Sequence, residues 1–271
     1  MDKTFRFGIV AAQPADAQAW VSTARRAEDL GYDILLTPDN VSGLSPVPAL
    51  AAAATATTRL RVGTYVLAAP YRPASQVAWD AAALDLLAAG RFELGVGAGR
   101  PKAAEEAATL GRPFGGFAER VGQTTAAITT ARERVPDLRV LVAGSGPRLL
   151  SAVIGDVDTI ALGLGPDKDE AALADAVGLV RDLAGGRADD IELNVNLLAV
   201  GEESPPWLRP VVGADLSELA ARGSAAVLTG SVDEMADRLR RRRDELGISY
   251  VVTNAAFLDA LAPVVERLAG T

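Results

Sequence analysis

Residues 62–100, VGTYVLAAPYRPASQVAWDAAALDLLAAGRFELGVGAGR, restrict the fold more than any other stretch of the chain. Val62–Leu67 is rich in β-branched residues, which suit a pleated strand. Ala74–Ala89 reads as an Ala/Leu helix closed by Gly90, a residue type that tolerates the left-handed backbone of a helix end. Phe92–Val96 is a second apolar strand and runs into Gly97-Ala98-Gly99-Arg100. Two nearly continuous apolar strands joined by a helix predict a βαβ unit in a parallel sheet covered on both faces. In such sheets the chemistry collects at the carboxyl ends of the strands. Here those ends hold Ala68–Arg72 and Gly97–Arg100.

The same alternation runs the length of the chain. Strands are expected at Phe5–Ala11, Asp33–Leu36, Leu138–Ala143, Thr159–Leu164, Ile191–Val200 and Tyr250–Thr253, with a short one at Ala225–Leu228. Helices are expected at Ala17–Leu30, Pro46–Thr57, Lys102–Thr109, Phe117–Arg134, Arg148–Ile154, Asp169–Ala184, Leu216–Arg222, Val232–Leu246 and Phe257–Leu268. Roughly eight β-then-α units in 271 residues predict a single (β/α)8 TIM barrel domain over 1–271. An open doubly wound sheet usually places a Gly-rich turn after its first strand. This chain has Ala11-Ala12-Gln13-Pro14 there, which favours the barrel.

Composition excludes several chemistries. With no cysteine there are no disulfides, thiolate nucleophiles or zinc–sulfur sites, and with no histidine there is no Ser-His-Asp triad, histidine-held metal or imidazole acid–base catalysis. No metal site is expected. The net charge of −8 argues against a nucleic-acid partner. No run of 18 uninterrupted apolar residues exists, and MDKTFRFGIV has no signal-peptide layout. The expectation is a cytoplasmic enzyme acting on a small molecule.

Specific residues narrow this further. AEDLGYDILLTPDN, then TRLRVGTYVLAAPYRPASQVAWDAAALDLLAAGRFELGVGAG, then VLVAGSGPRLL at 140–150 and TGSVDEMADRLRRRRDELGISYVV at 229–252 form an ordered set. That set resembles the bacterial luciferase-like family of FMN-dependent monooxygenases and F420-dependent oxidoreductases, which are (β/α)8 barrels. The resemblance implies that Gly144-Ser145-Gly146 is the cofactor-phosphate loop. A strand delivering small residues to a helix start suits that role, because free N–H groups there meet an anion. The resemblance also implies a cis peptide at Tyr65-Val66 beneath the cofactor ring, with Gly97 and Gly99 at the ring's edge.

Two positions depart from the family pattern. Where F420-using relatives carry an Asp-His pair this chain has Asp39-Asn40, and asparagine positions ligands but does not shuttle protons. Asp39 there is expected as a cofactor-site residue or, more simply, as a helix-cap or turn residue. Arg100 stands where some relatives have a carboxylate acid. It could bind an anionic tail, stabilise a peroxide or enolate charge, or pair at the surface with Glu105 or Glu106.

The missing acid–base groups favour an FMN-dependent monooxygenase using O2 and reduced flavin supplied by a partner flavin reductase. An F420-dependent hydride-transfer enzyme and a non-catalytic flavin-binding barrel are the alternatives. The resemblance and the Ala-rich helices also suggest a homodimer, with Trp79 in packing or at the interface. The short span between Gly99 and Leu138 predicts an open or oligomer-completed pocket. Arg91 and Glu93 are expected at the amino end of their strand, and Ser204-Pro205-Pro206-Trp207 in a packing loop near the mouth. Arg238–Arg243 is expected as a solvated helix face with Glu234–Arg238 and Asp237–Arg241 pairs.

Overall fold

The computed structural model describes residues 3–100, 102–163 and 165–271. Eight parallel strands close into a barrel: Arg6–Val10, Ile34–Thr37, Arg61–Thr64, Phe92–Gly97, Arg139–Ala143, Thr159–Leu162, Glu192–Leu197 and Ile248–Asn254. Each pairs with the next, and the ring shuts where Phe7 of the first strand lies opposite Val251 of the eighth. Helices stand between the strands around the outside. The first three bury alanines, as with Ala24 and Ala27, Ala53 and Ala54, or Ala78 and Ala81, whereas later helices bury larger residues such as Leu173 and Val177 or Leu261 and Val264. A separate core of Ile34, Leu36, Leu141, Ala161, Tyr250 and Val252 fills the barrel itself.

The amino ends of the strands are sealed by charge. Arg6 donates to Glu93 at 2.6 Å and to Glu192 at 2.8 Å, while Arg61 reaches Glu93 at 2.5 Å and Arg139 reaches Glu192 at 3.2 Å. The Arg6 guanidinium also lies 4.6 Å from the centre of the Tyr250 ring. Arg91 binds the carbonyls of Leu60 and Ala54 close by. Glu93 and Arg91 thus sit where the sequence places them, away from the carboxyl mouth.

Several elements differ in detail. The third strand ends at Thr64, and the chain resumes extended pairing at Leu67–Ala68 after a cis Tyr65-Val66 peptide. The sixth strand ends at Leu162; Leu164 lies outside the described residues. The seventh breaks after Leu197, and its continuation Ala199–Val200 pairs outside the barrel with Val227–Leu228. The short strand expected at Ala225–Leu228 is therefore no part of the barrel wall.

Helix Val232–Leu246 starts at a Ser231–Glu234 capping box and ends at Gly247 in the left-handed region. Its arginines are not one solvated face. Arg238 and Arg242 turn inward onto Glu170 of helix Glu170–Ala184, each at 2.7 Å, and Arg242 is only 3% exposed. The Asp237 carboxylate pairs with Arg240 rather than Arg241. Tertiary packing displaced the local i,i+4 pairs because Glu170 offers Arg238 and the buried Arg242 one shared acceptor. No helix among the described residues is long and apolar enough to cross a membrane.

Candidate active site at the carboxyl mouth of the barrel

Opposite the charged seal, the carboxyl ends of the strands surround a cavity of about 820 Å³. Its wall takes Asp39 and Asn40 after the second strand, Tyr65 and Val66 after the third, and Gly97, Gly99 and Arg100 at the fourth. The fifth contributes Gly144, Ser145 and Gly146. Every candidate residue read from the sequence thus lines one cavity. Leu149, Phe117, Val211 and Asn254 line it as well. Among the described residues, no group of three or more Asp and Glu is placed to hold a metal ion.

The third strand's end is clamped onto the fourth. Thr64 Oγ1 donates to the Gly95 carbonyl at 2.7 Å and accepts the Gly95 N–H at 2.9 Å. A Cβ on Gly95 would lie 1.9 Å from the Thr64 carbonyl oxygen, and one on Gly97 would lie 3.1 Å from Val66 Cγ2. Gly95 and Gly97 of the GVGAG run are therefore first a bed for the Tyr65-Val66 turn. The Tyr65 hydroxyl points down into the barrel and donates to Asn194 Oδ1 at 2.7 Å. Burial pushes its pKa up. Tyr65 accordingly offers the cavity no titrating hydroxyl.

Asp39 is neither a helix cap nor a turn residue. Arg72 donates to its two oxygens at 2.7 and 3.0 Å, and the Ala68 N–H adds a third bond at 3.0 Å. The side chains are 7% and 13% exposed. The pair ties the second strand's end to the segment after the third and engages both Asp39 oxygens. Arg72 carried no signal in the sequence beyond its place at a strand's carboxyl end.

Of the roles expected for Arg100, the structure shows the pair with Glu106. Arg100 lines the cavity, and one terminal nitrogen holds Glu106 Oε1 at 2.6 Å with the side chain 53% exposed. The Tyr71 hydroxyl donates to the other Glu106 oxygen. Burial, then that carboxylate, raise the Tyr71 pKa. Arg120 braces the same side: it donates to the carbonyls of Ala98 at 2.8 Å and Gly115 at 2.9 Å and stacks 4.1 Å from the Phe114 ring.

In the fifth loop the Gly144 N–H binds the Ala161 carbonyl at 3.2 Å, and Gly146 caps helix Pro147–Val153. That helix begins one residue earlier than expected. Proline at its first position has no N–H, so the first-turn donors are those of Arg148 and Leu149. Nothing lies within 4 Å of where a Gly146 Cβ would be, and Ser145 is exposed beside it. On the far side, Trp207 packs edge-on against Phe257 at 6.0 Å, as the packing expectation has it. It starts the short helix Leu208–Val212 that brings Val211 to the mouth.

A closed parallel barrel with such a cavity at its carboxyl mouth has the architecture of the TIM-barrel enzymes, whose active sites lie at that end. The sequence model described as luciferase-like monooxygenase matches residues 3–205, and the chain belongs to that family. It is an oxidoreductase of the flavin- or F420-dependent kind. Among curated protein sequences none matches.

Solved structures share the fold. The F420-dependent tetrahydromethanopterin reductase of Methanopyrus kandleri superposes with a TM-score of 0.75 at 13% identity, over 98% of this chain and 100% of that one. The oxygenating constituent of 3,6-diketocamphane monooxygenase from Pseudomonas putida, in complex with FMN, gives 0.72 at 14% identity, over 99% and 98%. EDTA monooxygenase from Chelativorans sp. BNC1 gives 0.76 at 12% identity, over 99% and 95%. At such identities the likeness is one of fold.

Proposed function

We propose that this chain is an FMN-dependent monooxygenase. It would take reduced flavin from a separate flavin reductase and, with O2, oxygenate a small organic substrate in the cytoplasm, as a single barrel domain over 1–271. The observation that carries this reading is the absence, among the described residues lining the cavity, of a histidine, a cysteine or a carboxylate outside an ion pair. Asp39 is held at both oxygens by Arg72, and Asn40, Asn254 and Ser145 do not titrate. Arginine side chains stay protonated in proteins, so Arg100 cannot move a proton either. Hydride exchange with an alcohol needs a group to take the hydroxyl proton. Oxygenation asks the protein chiefly for positioning and for exclusion of water.

The cavity suits a flavin by size and by lining, since most of its wall is glycine, alanine or aliphatic. Gly144, Ser145 and Gly146 would hold the phosphate, with the open rim at Gly146 allowing close approach. Tyr65 and Val66 would support the ring from below, and Gly97 and Gly99 would border it. Asp39 would shape the wall through Arg72, while Asn40 and Arg100 would face the substrate and the charge developing on its oxygen. When bound, reduced flavin supplies the two electrons with which O2 yields one inserted oxygen atom and one water.

Fluorescence titration of the purified protein with FMN and with F420 tests this. Tight FMN binding with substrate-dependent O2 uptake supports it. Binding of F420 alone overturns it in favour of hydride transfer, and binding without turnover across a broad panel leaves a non-catalytic flavin-binding barrel. The chain would act as a homodimer through helix Ala74–Leu87, whose outer stripe exposes Trp79 by 66%, Leu86 by 80% and Leu87 by 54%.

A further inference from the structure

We infer that Asn194, inside the barrel beneath the cavity, is a positioning residue that fixes the Tyr65 side chain, and so the cavity floor, where a flavin-type cofactor needs it. The inference rests on the placing of the cofactor in this cavity proposed above, and not on the choice between FMN and F420. Asn194 lies in the middle of strand Glu192–Leu197, in register with Ala161 of the sixth strand and Tyr250 of the eighth. Its neighbours Leu193 and Val195 belong to the core shared with the helices. Side chains alternate along a strand, so Asn194 faces the lumen, level with Ala161 and Tyr250 of the inner core. It is fully enclosed, at 0% exposure.

A TIM-barrel lumen is ordinarily filled by branched apolar side chains, and a buried amide there costs free energy unless its polar atoms are bonded. Both ends of Asn194 are. Nδ2 donates to the Tyr250 carbonyl at 3.2 Å, and Oδ1 accepts the Tyr65 hydroxyl at 2.7 Å. A carbonyl only accepts, so the amide has one workable orientation and the Tyr65 hydroxyl is the donor. In a closed ring of eight the seventh strand stands across from the third, at whose end Tyr65 lies. The bond therefore spans the lumen as a strut between opposite walls, and it is made to a residue that lines the cavity. At its foot the Tyr250 ring lies against the Arg6 guanidinium, 4.6 Å from the ring centre, so the strut stands on the charged seal.

Tyr65 is thus held from two directions. Thr64 and Gly95 fix the backbone before it on the fourth strand, and Asn194 fixes its side chain from below. An apolar residue at 194 would fill the lumen and serve the barrel equally well. What it would give up is the grip on Tyr65. The hydroxyl would then be stranded against the inner core, and the ring would gain by turning towards another acceptor, which takes the floor out of shape.

The test is fluorescence titration of FMN and of F420 into the wild type, Tyr65→Phe, Asn194→Leu and the double variant, with folding of each confirmed by circular dichroism. Loss of the strut lowers the fraction of molecules whose floor is correctly set, and apparent affinity falls with that fraction. One neutral hydrogen bond sets the scale at about fivefold. The expected result is a loss of about fivefold in each single variant and no more than that in the double. The visible absorption band of the bound cofactor should shift alike in all three. A residue that only stabilised the barrel would lower the urea midpoint and leave affinity and spectrum as in the wild type, and that result overturns the inference. Wild-type affinity in Tyr65→Phe, or losses that multiply to about 25-fold in the double variant, overturns it too, because Asn194 would then not act through the Tyr65 hydroxyl. Tyr65→Phe removes one oxygen and keeps the ring, and it decides the matter alone if Asn194→Leu does not fold. Binding of F420 alone defeats the monooxygenase reading, and the same fivefold pattern with F420 then supports the inference. Binding of neither cofactor to the wild type overturns both.

Discussion

Arg72 grips the Asp39 carboxylate with two guanidinium nitrogens, at 2.7 and 3.0 Å, across a sequence separation of 33 residues. Both side chains are largely buried. The acidic residue expected at the cofactor site, or as a cap or turn residue, is thereby committed to holding the mouth of the barrel in shape.

Removing one partner of that pair strands a buried charge, so Arg72→Ala should cost about 3–5 kcal/mol in urea unfolding. Asp39→Ala combined with Arg72→Ala should recover part of the loss, since the double variant buries no unpaired ion. Strictly additive losses would sink the coupling.

Ser145→Asp places a negative charge in the loop assigned to the cofactor phosphate. FMN affinity should be lost in a fluorescence titration, with thermal stability unchanged because Ser145 is exposed. Wild-type affinity in this variant would mean the phosphate lies elsewhere.

Gly95→Ala pushes a methyl group to within 1.9 Å of the Thr64 carbonyl oxygen, a backbone atom that cannot swing aside. A loss of about 1–3 kcal/mol or more is expected, together with weaker cofactor binding as the Tyr65-Val66 turn moves. Gly122→Ala is the control. It lies inside helix Phe117–Arg134 with nothing within 4 Å of its Cβ position, and should gain up to about 1 kcal/mol.

Glu170 provides a pH test. Burial alone would raise its pKa, but the bonds from Arg242 and Arg238 outweigh that and hold it below its ordinary value of 4.5. A depressed folded-state pKa means the stabilisation is complete above the unfolded value and fades as pH falls through the folded one. Melting temperature should therefore drop below about pH 4.5, and more gently in Glu170→Gln than in the wild type. Parallel acid limbs in the two proteins would contradict this.

If helix Ala74–Leu87 forms a dimer, Leu86→Asp should convert the protein to a monomer in analytical ultracentrifugation without lowering its melting temperature in dilute solution. A monomeric wild type would remove the premise.

What the chain reveals about itself depends on range. The alternation of apolar strands with Ala-rich helices is written in stretches of 4 to 18 residues, and this was enough to expect the barrel, the place of Arg91 and Glu93 at the amino end and the loops at its mouth. The residues around Gly97 and Gly144 were legible as residues of the carboxyl mouth because the loops after parallel strands gather at that end of the barrel. Arg72, Asn254 and Val211 were not, since each acquires its place only when distant strands and loops meet.

The sequence by itself determined the order of elements and ruled out histidine and cysteine chemistry, because periodicity and composition are local or global properties of the chain. The tertiary structure decided which charges are spent on one another. It joined Arg72 to Asp39 and Arg242 to Glu170, 72 residues away, and closed the ring with Ile248–Asn254 instead of Ala225–Leu228. It also brought Asn194 across the barrel to the Tyr65 hydroxyl. Such pairings follow from which strand ends a closed barrel brings within reach, and spacing along the chain does not encode that distance.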